Sequence, residues 1–268
     1  MLHHDAEAQL ATLLMLHARP RPWEHRHPLI AARAARLLRH IPVATVDPTG
    51  SDEGEIIRTR LDRSSAGMTT RIHEAATVLQ LPTTPGQYDQ GRDRATQRRQ
   101  ARKAVRAGVT WRRVEDEREK RVLLDLAREA ERTHPDAEYR ADAPELEELM
   151  LVDLWLVAEL DGRPLLLSVT PIDGEWAMLL YFRILEGGDV ASHTRYLMTG
   201  VLAEELVARG VRYLCDSRTP FRLNAGLRHF SRMVGFRTHR VRVLPGRVPA
   251  KVAARERASV AAGSSLTR

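Results

Sequence analysis

Asp216, in the phrase Asp216-Ser217-Arg218, follows a short apolar run and stands where an acid is needed to orient or deprotonate an amine. Upstream, Glu186-Gly187-Gly188-Asp189 leads into Ser192, His193 and Arg195 at a predicted helix start. Free backbone N–H groups and the helix dipole make such a start a holder of phosphate or of a developing oxyanion. Ser192 is its predicted N-cap. Tyr181 and Arg183, on the preceding strand, are expected to converge on the same place. Asp216, Tyr181 and His193 are therefore the candidate catalytic residues, and Ser192 and Arg195 candidate donor ligands. Arg183, Arg228 and His229 are further candidates to line the same cleft. The plainer readings are a turn aspartate at 216 and a structural histidine at 229.

A second chemical signal is cationic. Arg98, Arg99, Arg102, Lys103 and Arg106 are spaced i, i+1, i+4, i+5 and i+8, so they form one stripe of a helix. Arg92, Arg94, Arg112 and Arg113 flank it, with Asp93 the acid among them. Like charges at i,i+4 cost a helix a few tenths of a kcal/mol per pair, and a bound anion relieves that cost. The stripe is read as a site for an anion. Its alternative is a solvated face, or arginines paired with the acids of Glu115–Glu119 and Glu145–Glu148.

Composition narrows the class. The net charge of +7 favours a polyanionic partner, although an arginine-rich genomic texture gives the same total. The single cysteine, Cys215, excludes an intramolecular disulfide and any cysteine-rich zinc site, and is read as core rather than nucleophile. His3, His4, His17, His25 and His27 show no ligand spacing, so no metal is expected. No apolar run reaches membrane-spanning length and no signal peptide is apparent, so a cytoplasmic location is expected.

The elements that must position these groups follow from periodicity and punctuation. The predicted fold class is α+β, with a small N-terminal helical annex over residues 1–72, a main domain over 73–245 and a disordered basic tail over 246–268. In the annex, Ala6–Ala18 and Leu29–His40 have helical spacing, Val43–Val46 suits a strand and Asp47–Glu55 reads as a loop. The main domain opens with a strand at Ala75–Leu81. Thr84-Pro85-Gly86-Gln87 then resembles a capping box, predicting a helix to Ala107 closed by Gly108. A strand at Val109–Val114 precedes a helix over Asp116–Arg132 that buries Val122, Leu123, Leu126 and Ala130. Pro144–Leu151 is a short helix. Strands Trp155–Leu160 and Leu165–Ile172 are followed by a third from Ala177, joined by the turns Asp161-Gly162 and Asp173-Gly174. This meander enters a crossover helix, His193–Arg209, and returns in Val211–Cys215, parallel to the third strand. A helix at Asn224–Val234 and a strand at Phe236–Leu244 close the domain.

Three phrases carry a resemblance to a known family. They are Leu81-Pro82 with the run Arg98–Val109; Arg195-Tyr196-Leu197 with Arg209-Gly210-Val211-Arg212-Tyr213-Leu214; and Gly226-Leu227-Arg228-His229-Phe230 with Gly235-Phe236. Residues 75–244 resemble the GNAT-type N-acetyltransferase superfamily, and within it the Fem-type branch, the aminoacyl-tRNA-dependent peptidyltransferases. The resemblance implies a GNAT-like mixed sheet and direct attack of an amine on an ester carbonyl, with no covalent enzyme intermediate. It implies a transferred aminoacyl group, tRNA as partner with its phosphates on the stripe and on Ser192 and Arg195, a small-molecule or peptide amine as acceptor in a pocket of Arg183, Arg228 and His229, and no tightly bound cofactor. Two departures stand out. The annex is too short for the first of the two lobes usual in Fem-type enzymes. The coenzyme A loop, Gln/Arg-x-x-Gly-x-Gly/Ala, is absent: the helix reads Arg195-Tyr196-Leu197-Met198-Thr199-Gly200, with bulky side chains where a pyrophosphate needs bare backbone. The alternatives are an acyl-coenzyme A-dependent N-acyltransferase and a non-catalytic RNA- or protein-binding protein of the same fold.

Overall fold

The computed structural model describes residues 39–65, 75–137, 140–218 and 223–244, with isolated helical positions between 9 and 37. The calls on Ala6–Ala18, on most of Leu29–His40 and on the tail from Pro245 lie outside the described residues. Two sheets share the core. The first has the order β1 (Val43–Val46), β10 (Arg237–Val243), β2 (Ala75–Gln80), β9 (Tyr213–Asp216), β7 (Trp176–Leu179) and β6 (Ile172–Asp173). The second has the order β3 (Thr110–Val114), β4 (Trp155–Leu160), β5 (Arg163–Val169) and β8 (Tyr181–Ile184).

Strands β4 and β5 carry apolar, buried residues on both faces because both sides of the sheet are covered there, whereas β3 and β10 are polar and partly exposed. Helices α2 (Ala95–Arg106) and α4 (Ala191–Ala208) fill the space between the sheets, over a cluster that joins Leu156, Ala158 and Leu166 to Ala177, Met198, Leu202, Leu206 and Leu214. Helix α1 (Asp52–Ser65) covers the outer face of the first sheet through Ile57 and Leu61, against Val78, Trp176, Met178 and Cys215. Helix α3 (Glu117–Arg132) covers the outer face of the second through Leu123, Leu124 and Ala127, against Trp155, Val157, Leu167 and Tyr181. The last helix, α5 (Ala225–Met233), is capped by Asn224, whose side chain accepts from the Leu227 N–H at 2.8 Å.

The meander is present as β4–β5–β8, and its first turn is the two-residue type that right-twisted strands demand. Asp161 and Gly162 both have positive φ, 52° and 74°. The predicted third strand, however, is two strands. At Leu180 the N–H turns back to the Met178 carbonyl (2.9 Å), a three-residue kink. Before the kink, β7 pairs parallel with β9, Trp176 opposite Tyr213 and Leu179 opposite Asp216. After it, β8 pairs antiparallel with β5 in the other sheet. One chain segment thus serves both sheets, and they diverge from it like a fork.

Four further expectations are corrected. The loop at Asp47–Glu55 ends at Ser51, whose hydroxyl accepts from the Gly54 N–H (2.9 Å) and starts α1; Asp52, Glu53 and Glu55 favour that helix dipole. The helix predicted from Thr84 begins at Ala95: Gly86 takes φ 77° and gives its N–H to Glu204 of α4 (2.6 Å), so a tertiary partner overrides the local capping signal. The buried face of α3 is Lys120, Leu123, Leu124 and Ala127, leaving Val122 60% and Leu126 41% exposed. The element at Pro144–Leu151 is a single 3-10 turn, Glu147–Leu151.

The N-terminal segment is stitched to the first sheet. Strand β1 runs parallel to β10. The buried Asp173 carboxylate accepts from the Thr49 N–H (2.8 Å), the Thr49 hydroxyl and the Ser51 hydroxyl (3.1 Å). Glu53 accepts from the Asp153 N–H (2.8 Å) and the Ile172 N–H. Gly54 permits this approach, since a Cβ there would lie 2.8 Å from Asp173 Oδ2. No described helix is long and apolar enough to cross a membrane.

Candidate functional site

The fork places Asp216 at the C-terminal end of the parallel pair, beside the kink. Ligands favour this position in open sheets, because diverging strands leave a crevice. The Asp216 side chain accepts from the Arg218 N–H (2.9 Å), and so fixes the turn that follows β9. Burial holds its carboxyl above the usual carboxylate range, against the opposing pull of the Arg218 N–H and the Arg218 and Arg183 guanidinium groups.

Two arginines act on it, Arg183 and Arg218, and a third, Arg195, feels the charge of both. Arg183 lies on β8 and pairs through Nε with Glu131 of α3 (3.2 Å). Arg195 lies in the early turns of α4, and burial, then the charges of Arg183 and Arg218, lower its guanidinium below its ordinary value. Arg218 comes from the segment after β9. Sequence reasoning had named Arg183 and Arg195 but left Arg218 without a role and missed Glu131, which is distant along the chain.

The other candidates are not all brought here. The Tyr181 hydroxyl faces away, donating to the Ala127 carbonyl of α3 (3.4 Å) from a position only 5% exposed, and burial pushes its phenol up. It shares a face with Arg183 but sits deeper, so it is core. Ser192 does not cap α4: the helix starts two residues earlier, with Val190 at the cap and no side chain bonded to the cap position. Ser192 is exposed within the first turn, and His193 is half-buried with Nδ1 enclosed and no hydrogen-bond partner among the described residues. Arg228 donates to the Leu223 carbonyl and His229 is exposed, both on α5. Cys215 is fully buried and its thiol reaches the Ala177 carbonyl (3.4 Å), while burial pushes the thiol up. Among the described residues, no three His, Cys, Asp or Glu side chains gather to hold a metal ion.

The cationic stripe is on α2, with one member diverted. Arg98 spends its guanidinium on the carbonyls of Asp89 and Gly91 (2.7 Å for Gly91), clamping the segment before the helix. Arg99, Arg102, Lys103 and Arg106 are exposed, and among the described residues none is in an ion pair. The alternative holds for two flanking arginines, Arg112 with Glu119 and Arg113 with Glu115 (3.4 Å), and not for the stripe itself. Helix α2 packs on α4 where Gln97 donates to the Tyr196 carbonyl (3.3 Å) over Gly200, which has no side chain to hold them apart.

No family model matches the chain. No curated protein matches it either. Among solved structures it is similar to the C-terminal domain (DUF2156) of an Agrobacterium fabrum protein named as a lysylphosphatidylglycerol synthetase: 15% identity, TM-score 0.47, 73% of this chain and 75% of that one. L-PGS from Bacillus licheniformis is similar at 15% identity and TM-score 0.45 (61% and 57% covered), and FemX at 12% and 0.43 (62% and 60%).

Proposed function

We propose that the protein is an acyltransferase of GNAT-like fold that moves an aminoacyl group from aminoacyl-tRNA to an amine. The observation that supports it most is the fork: a parallel pair, β7 and β9, parting at Leu180 beside Asp216, with the start of α4 at the same end. In this reading the donor ester and the acceptor amine meet in the crevice, and proximity supplies much of the rate enhancement. The amine attacks the ester carbonyl, the carbonyl oxygen takes up the negative charge and the tRNA hydroxyl leaves. Asp216 or the substrate receives the amine proton; burial raises the carboxyl above its ordinary value, which makes the carboxylate a better proton acceptor. The exposed cations of α2 hold donor phosphates. A cytoplasmic setting, where charged tRNA is available, belongs to the same proposal.

One observation favours a second reading. The residues at the start of α4 are Gly188-Asp189-Val190-Ala191, so Tyr196, Leu197 and Met198 lie more than a turn inside the helix and do not crowd its first N–H groups. The steric objection to a pyrophosphate there is thereby removed, and an acyl-coenzyme A donor becomes the alternative, opposed by the charges of Glu186 and Asp189.

Thermal-shift and transfer assays separate these. Stabilisation by charged over uncharged tRNA, with a product whose mass has grown by one aminoacyl residue, supports the first reading. Stabilisation by coenzyme A or acetyl-coenzyme A sinks it in favour of the second. Equal binding of charged and uncharged tRNA without product assigns the fold a non-catalytic role.

A further inference from the structure

The described tryptophans differ in what they bury. Trp155 and Trp176 are 0% and 5% exposed, and each donates its indole N–H, to the Val152 carbonyl (2.9 Å) and the Thr45 carbonyl (3.1 Å). Trp176 also stacks on Tyr213. Trp111 is 43% exposed, and neither a hydrogen bond nor a ring contact joins its indole to the other described residues. Such a ring forgoes the burial by which tryptophan ordinarily stabilises a fold. Its place is the edge strand β3, where Trp111 lies opposite Ala158 and Arg113 opposite Leu156. Both partners belong to the cluster under α2 and α4. Residues directly opposed across a strand pair share a face, so Trp111 and Arg113 continue the covered face at the margin where its cover ends. Helix α2 delivers the chain to this margin. The Val109 N–H bonds the Ala104 carbonyl of the last helical turn (3.1 Å), and Trp111 follows two strand residues, about 7 Å, later. The exposed cations Arg99, Arg102, Lys103 and Arg106 span about 10 Å of that helix and end at the same turn, where Val105 is also exposed.

We propose that Trp111 is a stacking platform for an unpaired base of an RNA whose phosphates lie on the α2 stripe. The proposal rests on the proposed function for RNA as the partner. Charge complementarity selects this occupant: a polyanion neutralises the cations of α2, which are in no ion pair among the described residues, and its bases offer the ring faces that an exposed indole lacks. The two parts read different properties. The stripe holds phosphates whether or not the strand is paired, whereas the indole accepts a base only where it stands outside a duplex. The residues Trp111, Ala158, Leu166 and Ile184 form one row across the second sheet. Three strand spacings, about 14 Å, separate the indole from the fork edge, so the stacked base is not the one that carries the reacting ester.

The experiment follows intrinsic tryptophan fluorescence and affinity of the full chain at several salt concentrations. The probes are uncharged tRNA, a single-stranded oligoribonucleotide and a blunt RNA duplex of the same length. The expected result is quenching by the first two and binding of the duplex without quenching. Trp111→Leu, which keeps an apolar side chain opposite Ala158, weakens binding of tRNA and of the single strand by about tenfold or more. It leaves the salt slope and the duplex affinity unchanged, because the phosphate contacts are intact. Trp111→Tyr keeps the affinity and loses the quenching, so that failure of the leucine variant to fold leaves a second test. Binding of tRNA without quenching, affinity indifferent to Trp111→Leu, or an equal loss on the duplex overturns the proposal. A dimer in sedimentation that Trp111→Leu dissociates also overturns it, because the face would then belong to a second copy of the chain. Transfer from charged tRNA without quenching sinks only this proposal; quenching without transfer sinks only the proposed function. Absence of any RNA binding sinks both.

Discussion

On α2, Arg99, Arg102, Lys103 and Arg106 stand in solvent, while at the fork Arg183, Arg195 and Arg218 are half-buried and press on one another across three elements. The residue type is nearly the same and the physical consequence is not. Exposed charges act over roughly a Debye length, about 8 Å in physiological salt, and are weakened by every added ion. Charges drawn out of water act strongly on what lies next to them, to the benefit of a fitting ligand and at a cost without one. A single cationic total, read from composition, therefore contains two groups of arginines in different physical settings.

The sharpest way to break this comparison is to reverse the stripe. Replacing Arg99, Arg102 and Arg106 by Glu should weaken tRNA binding by about a hundredfold or more and flatten its salt dependence, while the fold is retained. Unchanged affinity in a filter-binding titration would place the donor elsewhere. Asp216→Asn should lower turnover by about a hundredfold with tRNA affinity intact, since it removes a proton acceptor without changing side-chain size. Normal turnover would clear Asp216 of any chemical part.

Smaller effects sharpen the contrast. Arg98→Ala should cost about 1 kcal/mol of stability through the lost carbonyl contacts, yet leave the salt slope of tRNA binding close to that of the parent, because this arginine is used within the fold. A pH series tests the fork from the other side. The Asp216 carboxyl is raised in the folded state, so the unfolded chain ionises it first and the folded protein is penalised as pH rises above the unfolded value. Asp216→Asn should therefore melt above the parent at neutral pH, and the gap should close on acidification below the unfolded carboxylate range. A constant gap would show that Asp216 titrates normally.

Much of this architecture could be read in advance, for reasons that differ by element. Asp161-Gly162 announces a tight hairpin because both residues tolerate positive φ. The ends of α2 and α4 are marked by Gly108 and Gly210, each left-handed, with φ of 90° and 79°. The parallel pairing of β7 and β9 follows from the single intervening helix. The kink at Leu180 could not be read: the run Trp176–Ile184 has neither glycine nor proline, and its division is decided by which sheet each half packs against. The same holds for Thr84-Pro85-Gly86-Gln87, where Glu204, more than a hundred residues away, wins over a local motif. The placement of Asp216, Arg183 and Arg195 at strand and helix ends near the fork follows from the order of elements. Glu131 was not, since its partnership with Arg183 exists only once α3 lies on the second sheet.

Asp173 has a consequence for anyone dissecting this chain. Its carboxylate is satisfied by Thr49 and Ser51, and Trp176 donates its indole N–H to the Thr45 carbonyl (3.1 Å). A fragment trimmed to begin at residue 73 would carry an acid stripped of these donors directly beside the hairpin that feeds the fork. Such a truncation should be insoluble or poorly folded when expressed alone, and co-expression with the segment 39–65 should rescue it. The leading residues are then an intramolecular chaperone for the turn they cover rather than an ornament at its edge.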